Sequence, residues 1–141
     1  FKMYIIGDGA LKYKIRKMID SLNLNEHIIM MGQLDYKKIK KMFRKANLSL
    51  ITSKTESYSR VIVESFLNHT PVVSTKSTGP SELVKDKYLF EINEEKLIAE
   101  CIYNLLNNKK LFKNYMSLIE NEYTNYNPEL YINQWSKFIL K

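Results

Sequence analysis

Cysteine is almost missing from this chain. Cys101 stands alone among 141 residues, which excludes an internal disulfide and a cysteine-based zinc site and fits a reducing compartment. Histidine is nearly as scarce. His27 and His69 lack the spacing of local metal ligands and read as structural. No Asp-x-Asp pair occurs, so a nucleotide–metal bridge of that kind has no visible ligands; neither a metal nor another cofactor is expected. No Gly-x-Ser-x-Gly elbow is present, nor a Walker loop. No apolar stretch approaches the roughly 20 residues of a membrane span, and no signal peptide is visible. Acidic side chains are in deficit, 15 against 22 basic ones, for a net charge of +7. That surplus favours phosphates, an anionic membrane surface or nucleic acid without choosing among them. No nucleic-acid-binding module can be read in the chain, so nucleic acid is not the expected partner.

What is present is a globular domain. The length suits one domain with a proper core, and a hydrophobic content of 45% argues against disorder. Apolar runs at Phe1–Ile6, Ile28–Met31, Leu48–Ile51 and Val72–Val73 read as strands, with Tyr88–Ile92 as a fifth. Between them lie helical patterns. One carries Leu11, Ile15, Met18, Ile19 and Leu22. A second carries Tyr36, Ile39, Phe43 and Ala46 behind a candidate N-cap, Asp35. A third runs from about Ser59 to Leu67. Thr78-Gly79-Pro80 reads as a turn. The last third reads as helix over Glu94–Leu106, Lys110–Glu122 and Glu129–Leu140, with Asn127-Pro128 dividing the last two. Strands alternating with helices predict βαβ units and a mainly parallel α/β sheet. Because the chain opens in what reads as the middle of a fold, it is expected to be a fragment of a longer protein.

Two carboxylates draw attention. Glu56 falls at the turn after the third strand, and Glu64 lies two turns into the helix that follows. Ligands of open α/β sheets bind beyond the carboxyl ends of the strands. A helix N-terminus there offers unpaired N–H groups and a positive dipole end to an anion. Carboxylates beside such a site accept hydrogen bonds from hydroxyls, so a sugar joined to a nucleotide diphosphate fits. The plain alternative is a dipole-complementing acid followed by a solvated one. Against it, Val61, Ile62, Val63, Phe66 and Leu67 predict a helix buried over most of its circumference, where Glu64 would need compensating partners.

Other features have ordinary readings beside functional ones. Gly7-Asp8-Gly9 follows a strand and precedes a helix, but Lys12 stands where a dinucleotide fingerprint needs its third glycine. It is a tight turn or a loop that lets a nucleotide approach the backbone. Lys37, Lys38, Lys40, Lys41, Arg44 and Lys45 lie off the apolar face of their helix. They form a solvated outer face or a contact for anionic lipid headgroups. Cys101 sits between apolar neighbours and reads as core packing, with nothing nearby to lower its pKa.

Taken in order, these pieces resemble a known family. Glu56-x7-Glu64, then Thr70-Pro71-Val72-Val73, then Thr78-Gly79-Pro80-Ser81-Glu82, is similar to the C-terminal domain of retaining glycosyltransferases of family four. Lys45-Ala46-Asn47-Leu48 looks like that family's alanine–aspartate strand entrance. Met3 to Gly9 looks like its earlier strand and glycine turn. The match covers roughly residues 1–90. It implies a Rossmann-like sheet of about five or six parallel strands flanked by helices, with a helical C-terminal tail. The whole chain, 1–141, would be the donor-binding half of a two-domain GT-B enzyme whose acceptor domain lies upstream.

The resemblance also implies roles. Glu56 would sit beside the donor sugar's hydroxyls as the catalytic residue. Glu64 would accept hydrogen bonds from the ribose. The segment Ser57, Tyr58, Ser59, Arg60 and Val61 would face the donor, with backbone N–H groups on the diphosphate. Gly7, Gly9, Met31 and Gly32 would line the nucleotide, the last two near its base. The reaction would be transfer with retention from a nucleotide-sugar, a UDP-sugar by family habit, to a glycan or lipid acceptor. It would serve capsule, lipopolysaccharide or glycolipid synthesis in the cytoplasm, at the inner membrane face. Neither Glu need form a covalent bond, and the pair does not read as a glycosidase acid and nucleophile. The chain departs from the pattern where Ser57 and Ser59 replace glycines. A further departure is His69, which replaces the glycine that stops the helix. His tolerates the left-handed conformation that such a stop needs. A non-catalytic nucleotide-binding or regulatory α/β domain would share the strand–helix order without needing a sugar-facing Glu56.

Overall fold

The computed structural model describes residues 1–57 and 59–123. The expected last helix, Glu129–Leu140, and the Asn127-Pro128 break lie outside the described residues. The fold is α/β, and among the described residues five strands pair in parallel, hydrogen-bonded as a pair and a trio. It divides into two compact units, Phe1–Ile39 and the residues from Lys40 onward.

In the first unit, β1 (Met3–Ile6) pairs with β2 (Ile28–Gly32), Met3 opposite Ile28 and Ile6 opposite Gly32. Gly7 follows β1 with φ +125°, and its N–H donates to the Gly32 carbonyl at 2.8 Å, where Gly32 itself has φ +66°. Those dihedrals are why glycine is used here. Asp8 accepts the Gly9 N–H at 2.9 Å and the Lys12 ammonium at 2.6 Å. These bonds hold its carboxyl below the usual carboxylate range. Then α1 (Lys12–Ser21) follows. Of the predicted stripe only Ile19 is buried, while Leu11, Met18 and Leu22 are exposed. His27 stacks on Phe1, with ring centroids 5.1 Å apart. The helix α2 (Tyr36–Lys45) runs across the division between units. Asp35 caps it as expected, its carboxylate accepting the Lys38 N–H at 2.8 Å.

The second unit carries the main core. Its sheet has the order β3 (Ser49–Ile51), β4 (Val72–Thr75), β5 (Leu89–Phe90), and β4, between two partners, is buried at all four residues. Val72, Val73, Ile62, Phe66, Tyr88, Leu105, Tyr115 and Ile119 pack together, the last two from α6 (Lys109–Tyr123) and Leu105 from α5 (Glu95–Asn107). Tyr115 stacks on Tyr88 and donates its hydroxyl to the Val72 carbonyl at 2.6 Å. The same oxygen lies 3.4 Å from the Val72 N–H, so one side chain serves backbone groups of β4 where β5 does not reach.

Three expectations need correction. The strand expected at Tyr88–Ile92 is only Leu89–Phe90, because Tyr88 ends a tight turn, Asp86–Tyr88, and Ile92 is exposed. The turn expected at Thr78-Gly79-Pro80 instead opens a short helix, α4 (Thr78–Leu83). Proline is tolerated in a first turn, where its missing N–H costs no helical bond. Thirdly, α3 (Arg60–Leu67) is not buried all round: Ile62, Ser65 and Phe66 face inward, while Val61 is 45% and Leu67 41% exposed. Cys101 does pack beside the core, and burial pushes its thiol pKa up, although Lys87 acts in the opposite direction.

The end of α3 shows how the chain manages with few glycines. The Thr70 N–H donates to the Ser65 carbonyl and the His69 N–H to the Phe66 carbonyl, with His69 at φ +57°. This is the Schellman pattern. The end of α1 repeats it: Leu24 N–H to Ile19 carbonyl, Asn23 N–H to Asp20 carbonyl, Asn23 at φ +53°. A non-glycine residue in this conformation costs about 1–2 kcal/mol, against about 0.5–1 kcal/mol of entropy lost by glycine. His69→Gly is therefore expected to stabilise the fold by about 0.5–1 kcal/mol, read as a rise in the urea midpoint; a fall would show that the exposed imidazole contributes more than the strain.

Candidate functional site

The loop from Thr52 to Ser59 leaves the carboxyl end of β3 and leads into α3. The next loop leaves the carboxyl end of β4, beside it in the sheet. Two bonds tie these loops together. Thr75, the last residue of β4, donates its hydroxyl to the Ser53 carbonyl at 2.7 Å. The Gly79 N–H donates to the Glu56 carbonyl at 2.9 Å. Gly79 also has no room for a side chain: a Cβ would lie 3.0 Å from the Ser57 oxygen and 3.1 Å from the Ser59 nitrogen. Both are backbone atoms, so a larger residue would have to push the loop aside. The position of Glu56 thus depends on Gly79, which the Thr78–Glu82 motif contained but which no local pattern assigned to this work.

Glu56 is half-buried and Ser57 exposed. Tyr58 lies outside the described residues. Ser59 is completely buried at the start of α3, and its hydroxyl has no partner among the described residues. Its carbonyl accepts the Ile62 N–H at 3.0 Å and the Val63 N–H at 3.3 Å. The Arg60 and Val61 N–H groups, at the first two helical positions, have no intrahelical acceptor, and both residues are exposed. That end of α3 can therefore receive an anion.

Glu64 lies one turn further on, its side chain 24% exposed, with Oε1 3.6 Å from Nη2 of Arg60. The spacing of Arg60 and Glu64, four residues apart on one helix, is the sequence signal for this partner. Arg60 is largely exposed, so the pair contributes little stability. Below Glu64 the helix is fastened to the sheet. Ser65 donates its hydroxyl to the Thr70 carbonyl at 2.9 Å, so the Ser49 hydroxyl, 2.8 Å away, must donate to Ser65. Asn68 donates to the Glu64 carbonyl at 2.8 Å and accepts from Arg44 at 3.2 Å. Thr70 donates to the Phe43 carbonyl at 2.7 Å.

The structure therefore gathers Glu56, Ser57, Ser59, Arg60, Val61 and Glu64 around one strand-to-helix junction of the second unit. Gly7, Gly9, Met31 and Gly32 belong to the first unit, at the carboxyl ends of β1 and β2. A Cβ at Gly7, Gly9 or Gly32 would meet nothing within 4 Å, so the space beside these backbones is open. Among the described residues no helix is long and apolar enough to cross a membrane.

A family model described as "Glycosyl transferases group 1" matches residues 1–124. An uncharacterised glycosyltransferase of Methanocaldococcus jannaschii is 33% identical over 116 residues, covering 80% of this chain and 33% of the relative. The poly(ribitol-phosphate) alpha-N-acetylglucosaminyltransferase of Staphylococcus aureus is 30% identical over 139 residues, covering 95% of this chain and 28% of the relative. Among solved structures, a mutant of S. aureus TarM in complex with fondaparinux, alpha-GlcNAc-glycerol and UDP superposes with a TM-score of 0.78 at 26% identity. That superposition covers 96% of this chain and 28% of the other. The chain spans between 15% and 41% of the length of the curated relatives it matches.

Proposed function

The chain belongs to the glycosyl transferases group 1 family, and from that membership we propose that it is the donor-binding half of a two-domain retaining hexosyltransferase that uses a UDP-sugar. One observation carries the reading. The exposed start of α3, with two N–H groups free of the helical ladder, stands between Glu56 and Glu64 at the carboxyl ends of parallel strands. The diphosphate is assigned to the Arg60 and Val61 N–H groups, with Ser57 and Ser59 beside the approach. The ribose hydroxyls are assigned to Glu64 and the sugar hydroxyls to Glu56. Gly7, Gly9, Met31 and Gly32 are assigned to the nucleotide by family resemblance alone. On this view the protein positions reactants and stabilises the leaving diphosphate rather than forming a covalent intermediate.

The UDP in the TarM complex supports the choice of base. The name of the S. aureus relative supports a surface polymer as acceptor, and those of Campylobacter jejuni and Rhizobium meliloti relatives support a lipid-linked glycan and a lipopolysaccharide core. The acceptor would be held by an upstream domain, and the cytoplasm would be the site of action. These 141 residues by themselves would bind nucleotide without transferring sugar. Calorimetric titration with UDP, ADP and GDP tests the proposal: UDP should bind, and tighter than the other two. Heat from none of the three would overturn it, as would sugar transfer by the isolated chain for the half-enzyme part.

A further inference from the structure

The donor site leaves the basic helix α2 unused. Its ten residues, Tyr36–Lys45, contain six basic side chains and no acidic one. At about 100° per residue, Lys40, Arg44, Lys37, Lys41, Lys45 and Lys38 fill one continuous arc of about 160°. Met42, Ala46, Ile39, Phe43 and Tyr36 fill the opposite one. All six basic residues are exposed. Lys38 pairs with Asp35 at 3.2 Å, and Arg44 bonds Asn68 through Nε. Lys37, Lys40, Lys41 and Lys45 have no ion-pair partner among the described residues. A face of this kind keeps most of its positive potential for something outside the chain.

We infer that this face of α2 docks on an anionic lipid surface. The shape and chemistry of the arc select that partner. It is a convex helix flank, whereas a single strand of nucleic acid is tracked by a groove with aromatic stacking platforms, and no aromatic interrupts the basic arc. Five of the six are lysines, which act as point charges on flexible stems. The planar, bidentate fork of arginine, suited to a fixed phosphate pose, appears once. Tyr36, 61% exposed, stands at the border between the arcs, where an amphipathic ring suits the headgroup level. Lysine stems lying along a helix can reach a plane of headgroups while their apolar parts stay on the protein.

The test is sedimentation of the chain with vesicles of phosphatidylcholine, with and without phosphatidylglycerol, at about 0.15 M salt, where exposed charges further apart than about 8 Å are screened. Binding is expected only with phosphatidylglycerol. The double substitution Lys37→Gln and Lys41→Gln, at the centre of the arc, should weaken it about 30-fold, given the attraction each basic side chain gains near such a surface. An unchanged circular dichroism spectrum would show that the variant is folded. No binding to the anionic vesicles would overturn the inference, as would equal binding by the double variant. Tighter binding to a soluble polyol-phosphate polymer or DNA than to vesicles, lost in the same variant, would also overturn it. None of these outcomes depends on whether the chain binds UDP, so failure here and failure of the donor-site reading can be told apart.

Discussion

Replacing Glu56 by glutamine in the proposed two-domain enzyme is expected to lower kcat by about 10²–10³-fold, the usual cost of removing one group that stabilises charge or holds geometry in a transition state. Glutamine keeps the size of the side chain but gives up the charge and one acceptor oxygen. The backbone bond from Gly79 to the Glu56 carbonyl should survive, because it does not involve the side chain. UDP affinity should therefore change by less than about threefold, a split between kcat and binding that marks an interaction made mainly in the transition state. Steady-state transfer rates and calorimetry on the same preparation read both quantities. A variant that transfers sugar at the original rate would leave a nucleotide-binding domain whose Glu56 has no chemical role.

Glu64→Ala should act on binding instead. A carboxylate accepting a ribose hydroxyl makes a charge-assisted bond, and its loss costs about 1.5–3 kcal/mol, or roughly 10- to 150-fold in the Kd for UDP. The Arg60 guanidinium, 3.6 Å from Glu64 in the native chain, complicates the reading, because freed of its partner it can turn toward the diphosphate and hide part of the loss. A second ligand separates the two effects. UDP lacking both ribose hydroxyls should bind the native chain more weakly than UDP does, and binding of this dideoxy ligand should not weaken further in the Glu64→Ala variant. Additive losses from the two changes would mean that Glu64 does not touch the ribose.

Much of this site could be read from order along the chain. The apolar run at Leu48–Ile51, the acid at Glu56 and the helical pattern through Leu67 are local signals, and the structure has a strand, a loop and a helix there. The helix stop at His69 was legible because one residue's tolerance of positive φ decides it. What failed was burial. The apolar residues of α3 suggested a helix buried over most of its circumference, which made Glu64 look costly. In fact Val61 and Leu67 reach solvent, Glu64 is partly exposed, and the small polar residues Ser59 and Ser65 share the buried places with Ile62 and Phe66.

Sequence alone determined the kinds of element, their succession, and the pair of acids that flank a strand-to-helix junction, because hydrophobic period and turn chemistry act over a few neighbouring residues. Only the tertiary structure decided which faces those elements hide and what grips the loop between them. Gly79 meets the backbone at Ser57 and Ser59, and Tyr115 serves Val72 from 43 positions away. Such contacts arise when separate segments compete for the same surface and the same unpaired backbone groups, and no local run of residues encodes the outcome of that competition.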